Sequence, residues 1–132
     1  MPTLPQARRI PLSRRSHIIG FQSLPTGATD HESALERDFV TLTSFVEPSA
    51  VIHSQPVTIV FEDGGRRRHY TPDFLVQHSG GAELVEVKYE NDLRAQRSTL
   101  IPGFQAAEHW ARERHISFRV VTECDIRGRL SR

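Results

Sequence analysis

The chain has one cysteine, Cys124, and no apolar run close to the ~20 residues that span a bilayer. A single cysteine excludes an intrachain disulfide framework and fits a reducing compartment. The seven histidines include no pair spaced four residues apart, which disfavours a zinc site on a helix. The N-terminal residues also lack the apolar core of a signal peptide. We therefore expect a cytoplasmic protein without a membrane association.

Acidic residues are missing from the first part of the chain, where none occurs before Asp30. The same part contains arginines, including Arg14 and Arg15, although the net charge of all 132 residues is only +1. Basic tails suit contacts with nucleic-acid phosphates, and a solvated tail is the alternative. Proline is frequent here and no hydrophobic period is present. We expect residues 1–28 to form an extended basic arm and residues 29–132 to form one folded domain.

The remaining sequence predicts an α/β fold. A helix is expected from Asp30 to about Phe45, because Thr29 and Glu32 match a capping box and apolar residues follow at helical spacing. Glycine pairs at 64–65 and 80–81 predict hairpin turns between strands. The predicted strands cover residues 51–53, 56–61, 67–76, 83–89 and 117–122.

The last predicted strand is reached through a helical segment, which Pro102-Gly103 is expected to split or kink. A helical crossover favours a parallel arrangement with the preceding strand. The sequence thus predicts a mixed β-sheet flanked by helices, in which a three-stranded antiparallel meander is extended by one parallel strand.

Two carboxylates and a lysine fall on neighbouring predicted strands. Side chains alternate along a strand, so Glu86 and Lys88 share one face about 7 Å apart, while Asp73 begins the preceding strand. Two carboxylates and a few further oxygens suffice to bind Mg²⁺, which can activate a water and stabilise charge on a phosphate. We interpret Asp73 and Glu86 as metal ligands and Lys88 as a group that holds the water or a phosphate oxygen. An exposed strand face with cross-strand pairs is the alternative.

The first helix offers a third acid. With Leu35 at zero on a helical wheel, Glu32 falls at about 60° and Glu36 at about 100°, on the flank of the apolar stripe. Glu32 already serves the capping box, so Glu36 is the preferred site residue. A solvated glutamate is the alternative.

A basic run, Arg66, Arg67 and Arg68, precedes the Asp73 strand. Arginines that lead to a metal site suit contacts with the phosphates beside the scissile bond, although such runs are usually solvated. Gln55 is interpreted either as a hydrogen-bonding group near the site or as a polar strand entrance.

Five segments, in order along the chain, resemble the TnsA family of endonuclease subunits of heteromeric transposases. The family belongs to the PD-(D/E)xK nuclease superfamily, whose motif is present as Pro72-Asp73 and Glu86-Val87-Lys88. The segments are residues 33–39, 55–56, 68–74, 84–88 and 118–123.

The resemblance implies a restriction-endonuclease-like fold over residues 29–132 and dependence on Mg²⁺, with Mn²⁺ as a substitute. By position, the family's helix glutamate corresponds to Glu36, its metal-binding aspartate to Asp73, and its strand pair to Glu86 and Lys88. It further implies cleavage of double-stranded DNA at the 5′ ends of a mobile element, while a partner transposase cuts and joins the 3′ ends.

Other partners and functions stay open at this point. Fuller-length family members engage an AAA+ regulator through a C-terminal region, and the chain ends at Arg132 soon after its last predicted strand. A homodimer is a further option. The alternative functions are a standalone nuclease of the same fold that acts on phage or recombination DNA, and a catalytically silent DNA-binding subunit.

Overall fold

The structure is a computed structural model that describes residues 30–130. Residues 1–29, which include the expected basic arm and the predicted helix cap Thr29, lie outside this range. The elements are α1 (Asp30–Val46), β1 (Val51–Ser54), β2 (Ile59–Asp63), β3 (Arg66–Tyr70), β4 (Phe74–His78), β5 (Gly81–Val87), α2 (Glu90–Ala95), α3 (Arg97–Glu113), β6 (Ser117–Val121) and α4 (Glu123–Leu130).

Four strands form the main sheet, in the order β1-β4-β5-β6. The β1/β4 and β4/β5 pairs are antiparallel, and β6 is parallel to β5. The helical segment α2–α3 connects β5 with β6, as a parallel pair requires. The predicted mixed α/β sheet is therefore confirmed, but its three antiparallel strands are β1, β4 and β5 rather than a meander of consecutive strands, because β2 and β3 form a separate sheet.

Both faces of the main sheet are covered, and this explains why its central strands are almost continuously apolar. Phe74 and Val85 pack with α1 and α4 on one face. Leu75 and Leu84 pack with Ala107 of α3 and its neighbours on the other face. The alternation of neighbouring residues between two cores fixes which side chains project toward which helix.

The strand predicted over residues 67–76 is in fact two strands in two sheets. β3 pairs with β2 in a separate two-stranded sheet, and the chain passes through Thr71-Pro72-Asp73 before β4 joins the main sheet. Gly64 and Gly65 both have positive φ, 59° and 80°, as the tight turn between β2 and β3 requires. Residues on both sides of this segment favour strands, so the sequence pattern does not show that β3 and β4 pair with different strands.

The helices differ from the prediction in two places. The break after β5 occurs at Gln96, and α3 continues through Pro102. Pro102 is the sixth residue of α3 and has no N–H group to donate. As a result, one carbonyl group in the first turn of α3 has no partner within the helix, and this turn is exposed to solvent. Helix α4 was not predicted, and Cys124 lies exposed on it. Among residues 30–130, no helix combines the length and the apolar character needed to cross a membrane.

We expect Val85→Ala to lower the free energy of unfolding by about 2 kcal/mol, because this fully buried side chain leaves a cavity under α1. Val60→Ala is the matched control, since Val60 is 49% exposed on β2 and its truncation should change the free energy by less than about 0.5 kcal/mol. Urea denaturation of both variants measures the difference, and equal losses would contradict the packing described.

Candidate active site

Asp73 and Glu86 lie opposite each other at one end of the β4/β5 pair. Phe74 pairs with Val85, so the next position outward sets Asp73 against Glu86. The amide nitrogen of Asp73 donates a hydrogen bond to Glu86 Oε1 at 3.3 Å, and the amide nitrogen of Val87 donates one to Asp73 Oδ2 at 2.8 Å. Each carboxylate is thus held by the main chain of the other strand.

Both carboxylates belong to the face that α3 covers. Leu75 and Leu84 pack on this face, and Asp73 and Glu86 are each two positions away from one of them. Glu86 is 7% exposed and Asp73 is half-buried. The two acids therefore open into the same space.

Lys88 directly follows β5 and is half-buried. Its amide nitrogen donates to the carbonyl oxygen of Val121 at 3.0 Å, which fixes the backbone at this point. Its positive charge acts to lower the pKa of Glu36, Asp73 and Glu86, so the ammonium group faces all three. Among the 17 Lys and Arg residues of the chain, Lys88 is the only lysine.

Glu36 approaches the same place from α1. The helix was expected to carry Glu36 on the flank of its apolar stripe, but Glu36 is 8% exposed and lies among Leu35, Phe39 and Val40 on the buried face. Val46, the last residue of α1, is 53% exposed although it is apolar. The buried face is rotated because α1 packs on both the sheet and α4, which a wheel drawn from apolar residues alone does not show.

The carboxylates repel each other in a poorly solvated space. Burial first, and then the charges of Asp73 and Glu32, raise the pKa of Glu36 from 4.5 to about 8. Burial likewise raises the pKa of Asp73 from 3.8 to about 6. The pKa of Glu86 is also well above its usual value, first because of burial and then because of the Asp73 charge. One lysine does not balance this charge, so protons or a cation are needed to offset it.

The donor set suits a hard divalent cation, because Glu36, Asp73 and Glu86 offer carboxylate oxygens. Donors hold one oxygen of Asp73 and one of Glu86, and the two carboxyl groups also lie within hydrogen-bonding reach of each other. Within residues 30–130, no three His, Cys, Asp or Glu side chains already stand at metal-binding spacing. Coordination by all three acids therefore requires a side-chain rotation.

Tyr70 is a site residue that the sequence reading did not single out. Its hydroxyl, at the end of β3, donates to Glu86 Oε1 at 2.7 Å. The sequence pattern predicts one strand of one sheet over residues 67–76. That interpretation gave no reason to expect Tyr70 to reach Glu86 from a second sheet. The only signal was its position in the segment 68–74 that carries the family resemblance.

Gln55 contributes through its backbone. Its amide nitrogen donates to the carbonyl oxygen of Asp73 at 2.8 Å, extending the β1/β4 pairing to the candidate site. It has a φ of 49°, a left-handed conformation that is uncommon for a residue other than glycine. This bond belongs to the main chain, so the two interpretations of the Gln55 side chain both stay predictions.

A protein-family model described as the N-terminal domain of TnsA-like endonucleases matches residues 50–123, more than half of the chain. The chain belongs to the TnsA-like endonuclease family. Searches of curated proteins and of solved structures found no match. The family match confirms the resemblance inferred from the motifs and agrees with the mixed α/β sheet.

The TnsA-like match includes Tyr70, Asp73, Glu86 and Lys88, but it begins at residue 50, after the end of α1. The place of Glu36 in the site consequently depends on its burial and on its electrostatic interaction with Asp73. The division of the chain at residues 28 and 29 falls outside the described residues and stays a prediction.

The three arginines of β3 do not form one surface. Side-chain alternation sets Arg67 on the opposite face from Arg66 and Arg68. The Nη1 atom of Arg68 makes an ion pair with Asp63 Oδ2 at 2.9 Å across the hairpin. Arg66 and Arg67 are exposed. Contacts of these residues with DNA remain predicted, as do those of Arg14 and Arg15, which lie outside the described residues.

We expect the metal-free protein to lose stability as pH rises from about 4.5 to 8. In this range the folded state keeps a proton on Glu36 that the unfolded chain has already released, so raising the pH favours unfolding. Glu36→Gln removes the contribution of Glu36 to this loss and should stabilise the protein at pH 8.5 by on the order of 5 kcal/mol, since the pKa shift from 4.5 to about 8 corresponds to about 1.4 kcal/mol per unit.

Urea denaturation in EDTA at pH 5 and pH 8.5 measures the effect. Glu108→Gln is the control, because Glu108 is an exposed glutamate on α3. The same pH dependence in Glu36→Gln and in Glu108→Gln would contradict a buried, charge-repelled Glu36.

Proposed function

We propose that this TnsA-like protein is a magnesium-dependent DNA endonuclease that hydrolyses phosphodiester bonds at the 5′ ends of a transposon. In this proposal Glu36, Asp73 and Glu86 bind the metal, for which Mn²⁺ can substitute, and Lys88 assists the attacking water. The observation that carries the proposal is the pairing of Asp73 with Glu86 beside the only lysine of the chain.

The main chain supports such a role by orienting the acids. The Val87 N–H holds Asp73 Oδ2, and the Asp73 N–H holds Glu86 Oε1, so the main chain restrains one oxygen of each carboxylate. Magnesium, when bound, lowers the pKa of a bound water and offsets the charge that develops on the phosphate. The mutual repulsion of the acids favours uptake of a divalent cation, because its charge replaces the proton that Glu36 holds near neutral pH and offsets the negative charge of Asp73.

Lys88 has the chemistry required of a group that positions water. Its ammonium is a compact charge with three rotatable donors, whereas an arginine presents a planar fork suited to carboxylates and phosphates. All the remaining Lys and Arg positions of the chain are arginine. A lysine next to three acids therefore supports a specific role, in which the ammonium holds the water or a phosphate oxygen beside the metal.

The proposed substrate is double-stranded DNA. Its backbone is negatively charged, so basic residues near the acids would be needed to hold it at the site. Arg66 and Arg67 are exposed near the turn of the β2/β3 hairpin, and this hairpin also carries Tyr70, which touches Glu86. Contacts to phosphates fix the position of a protein on DNA without reading its sequence. We assign this positioning to Arg66, Arg67 and Arg68, and to Arg14 and Arg15 of the N-terminal segment.

A partner transposase would cut and join the 3′ ends, because one nuclease site accounts for only one strand of each break. An AAA+ regulator and a second copy of this chain are further proposed partners. A standalone nuclease is the alternative, and it differs from the leading proposal in needing no transposase.

We expect Asp73→Ala and Lys88→Ala each to reduce nicking of supercoiled plasmid by on the order of 100-fold or more, because each removes a charge from the reacting centre. Nicking should require Mg²⁺ or Mn²⁺ and should not occur with Ca²⁺. Glu113→Ala, on the exposed end of α3, is the control and should nick at the unaltered rate.

Each outcome of the nicking assay is informative. Full activity in both site variants would overturn the mechanism. Activity that appears only after a transposase is added favours the transposon proposal, whereas robust activity without it favours a standalone nuclease. Plasmid binding without any nicking under either condition would favour a catalytically silent subunit.

The choice of helix ligand has its own test, because Glu32 and Glu36 both act on the buried acids. We expect Glu36→Ala to abolish nicking and to weaken Mn²⁺ binding, since Glu36 is buried beside Asp73. Glu32→Ala should reduce both only a few-fold, because Glu32 is half-buried in the first turn of α1. The opposite ranking in the nicking assay and in Mn²⁺ titrations would assign the metal to Glu32.

A further inference from the structure

Tyr70 connects the β2/β3 hairpin to the acids of the main sheet. It ends β3, where it pairs with Ile59, and its hydroxyl donates to Glu86 Oε1 at 2.7 Å. The same oxygen accepts the N–H of Asp73 at 3.3 Å. One oxygen of the Glu86 carboxylate, Oε1, therefore accepts hydrogen bonds from two donors.

A donor in this place matters because the terminal torsion of a glutamate is soft and has no sharp rotameric preference. The main-chain bond at 3.3 Å is long, so it restrains the carboxylate weakly. The shorter bond from Tyr70 supplies the stronger restraint. Groups that donate a hydrogen bond to a metal-binding side chain commonly determine how that side chain is oriented toward the metal.

The donor is also neutral. A lysine or arginine in this position would fix the carboxylate, but its positive charge would oppose the binding of a cation. A tyrosine hydroxyl has an ordinary pKa of about 10, so it is neutral near pH 7 and donates its proton to the carboxylate oxygen. Tyr70 thus orients Glu86 without neutralising it.

The tyrosine ring is held by packing against α3 and β6. Phe104 and Phe118 contact it edge-on, with ring centroids 5.9 Å and 6.4 Å away. Gly103 lies directly against it, because a Cβ atom at this position would come within 3.2 Å of Tyr70 Cγ. Glycine weakens a helix interior, and here it allows α3 to approach the ring closely.

We propose that Tyr70 is a positioning residue, which orients the Glu86 carboxylate for a divalent cation and is itself located by the close approach of Gly103. This inference rests on the proposed function, since it assumes that Glu86 binds a metal. It assigns a role in metal affinity to a residue that touches neither the metal nor the DNA.

The test is the affinity for Mn²⁺ alone, measured by the electron paramagnetic resonance signal of the free ion in titrations of the full chain. We expect Tyr70→Phe to raise the Kd for Mn²⁺ by about 10-fold or more, as is typical when a donor to a metal ligand is lost. Tyr89→Phe is the matched control, because Tyr89 is the other tyrosine of the chain and its hydroxyl bonds to the carbonyl oxygen of His31. Its affinity for Mn²⁺ should be unchanged.

Gly103→Ala tests the same role with the hydroxyl retained. The added methyl displaces the Tyr70 ring by a few tenths of an ångström, and we expect a few-fold increase in the Kd for Mn²⁺. Thermal unfolding in EDTA checks that each variant is folded. Should Tyr70→Phe fail to fold, the comparison of Gly103→Ala with Gly128→Ala decides the question, because a Cβ at Gly128 meets no atom within 4 Å.

Nicking at increasing Mg²⁺ gives a second readout. Loss of orientation should raise the Mg²⁺ concentration needed for half-maximal activity in Tyr70→Phe, with the rate at saturating Mg²⁺ largely restored. A lowered rate that Mg²⁺ does not restore, with normal Mn²⁺ affinity, would overturn the inference and leave Tyr70 a packing residue. Absence of Mn²⁺ binding in the unaltered protein would instead overturn the proposed function.

Discussion

The antiparallel register of β4 and β5 is the constraint on which the candidate site depends. Phe74 faces Val85 in this register, and Asp73 therefore meets Glu86 at the strand ends. A shift by one residue would move one carboxylate to the other face of the sheet. The two cores prevent such a shift, because neighbouring residues of β4 are buried on opposite faces. The packing that stabilises the sheet is thus also what brings the acids together.

The acids are brought together against their own repulsion. A structural ion-pair network would balance charges, whereas here Glu36, Asp73 and Glu86 share a single lysine and have raised pKa values. Such an arrangement lowers the stability of the metal-free protein near neutral pH and is typical of functional sites. The surrounding contacts hold it in place, since main-chain N–H groups and the Tyr70 hydroxyl satisfy one oxygen of Asp73 and one of Glu86.

Several features could be predicted because they depend on neighbours in the sequence. The start of α1, the hairpin glycines and the alternation that gives Glu86 and Leu84 the same face are local properties. The break between β3 and β4 could not be predicted, because both halves favour strands equally well. The burial of Glu36 was missed for a related reason. It depends on how α1 packs over the strand ends near Asp73 and Lys88, which no local pattern shows.

The sequence by itself determined the family, the mixed α/β fold and the identity of the acids and the lysine, because motif spacing and side-chain periodicity are encoded along the chain. Only the tertiary structure decided which residues support them. Tyr70 lies in a second sheet and donates a hydrogen bond to Glu86. Gly103 of α3 lacks a side chain and so leaves room for the Tyr70 ring, and the backbone N–H of Gln55 donates to the carbonyl oxygen of Asp73. These contacts join residues that are distant in the chain, and their partners are set by how the elements pack rather than by any local pattern.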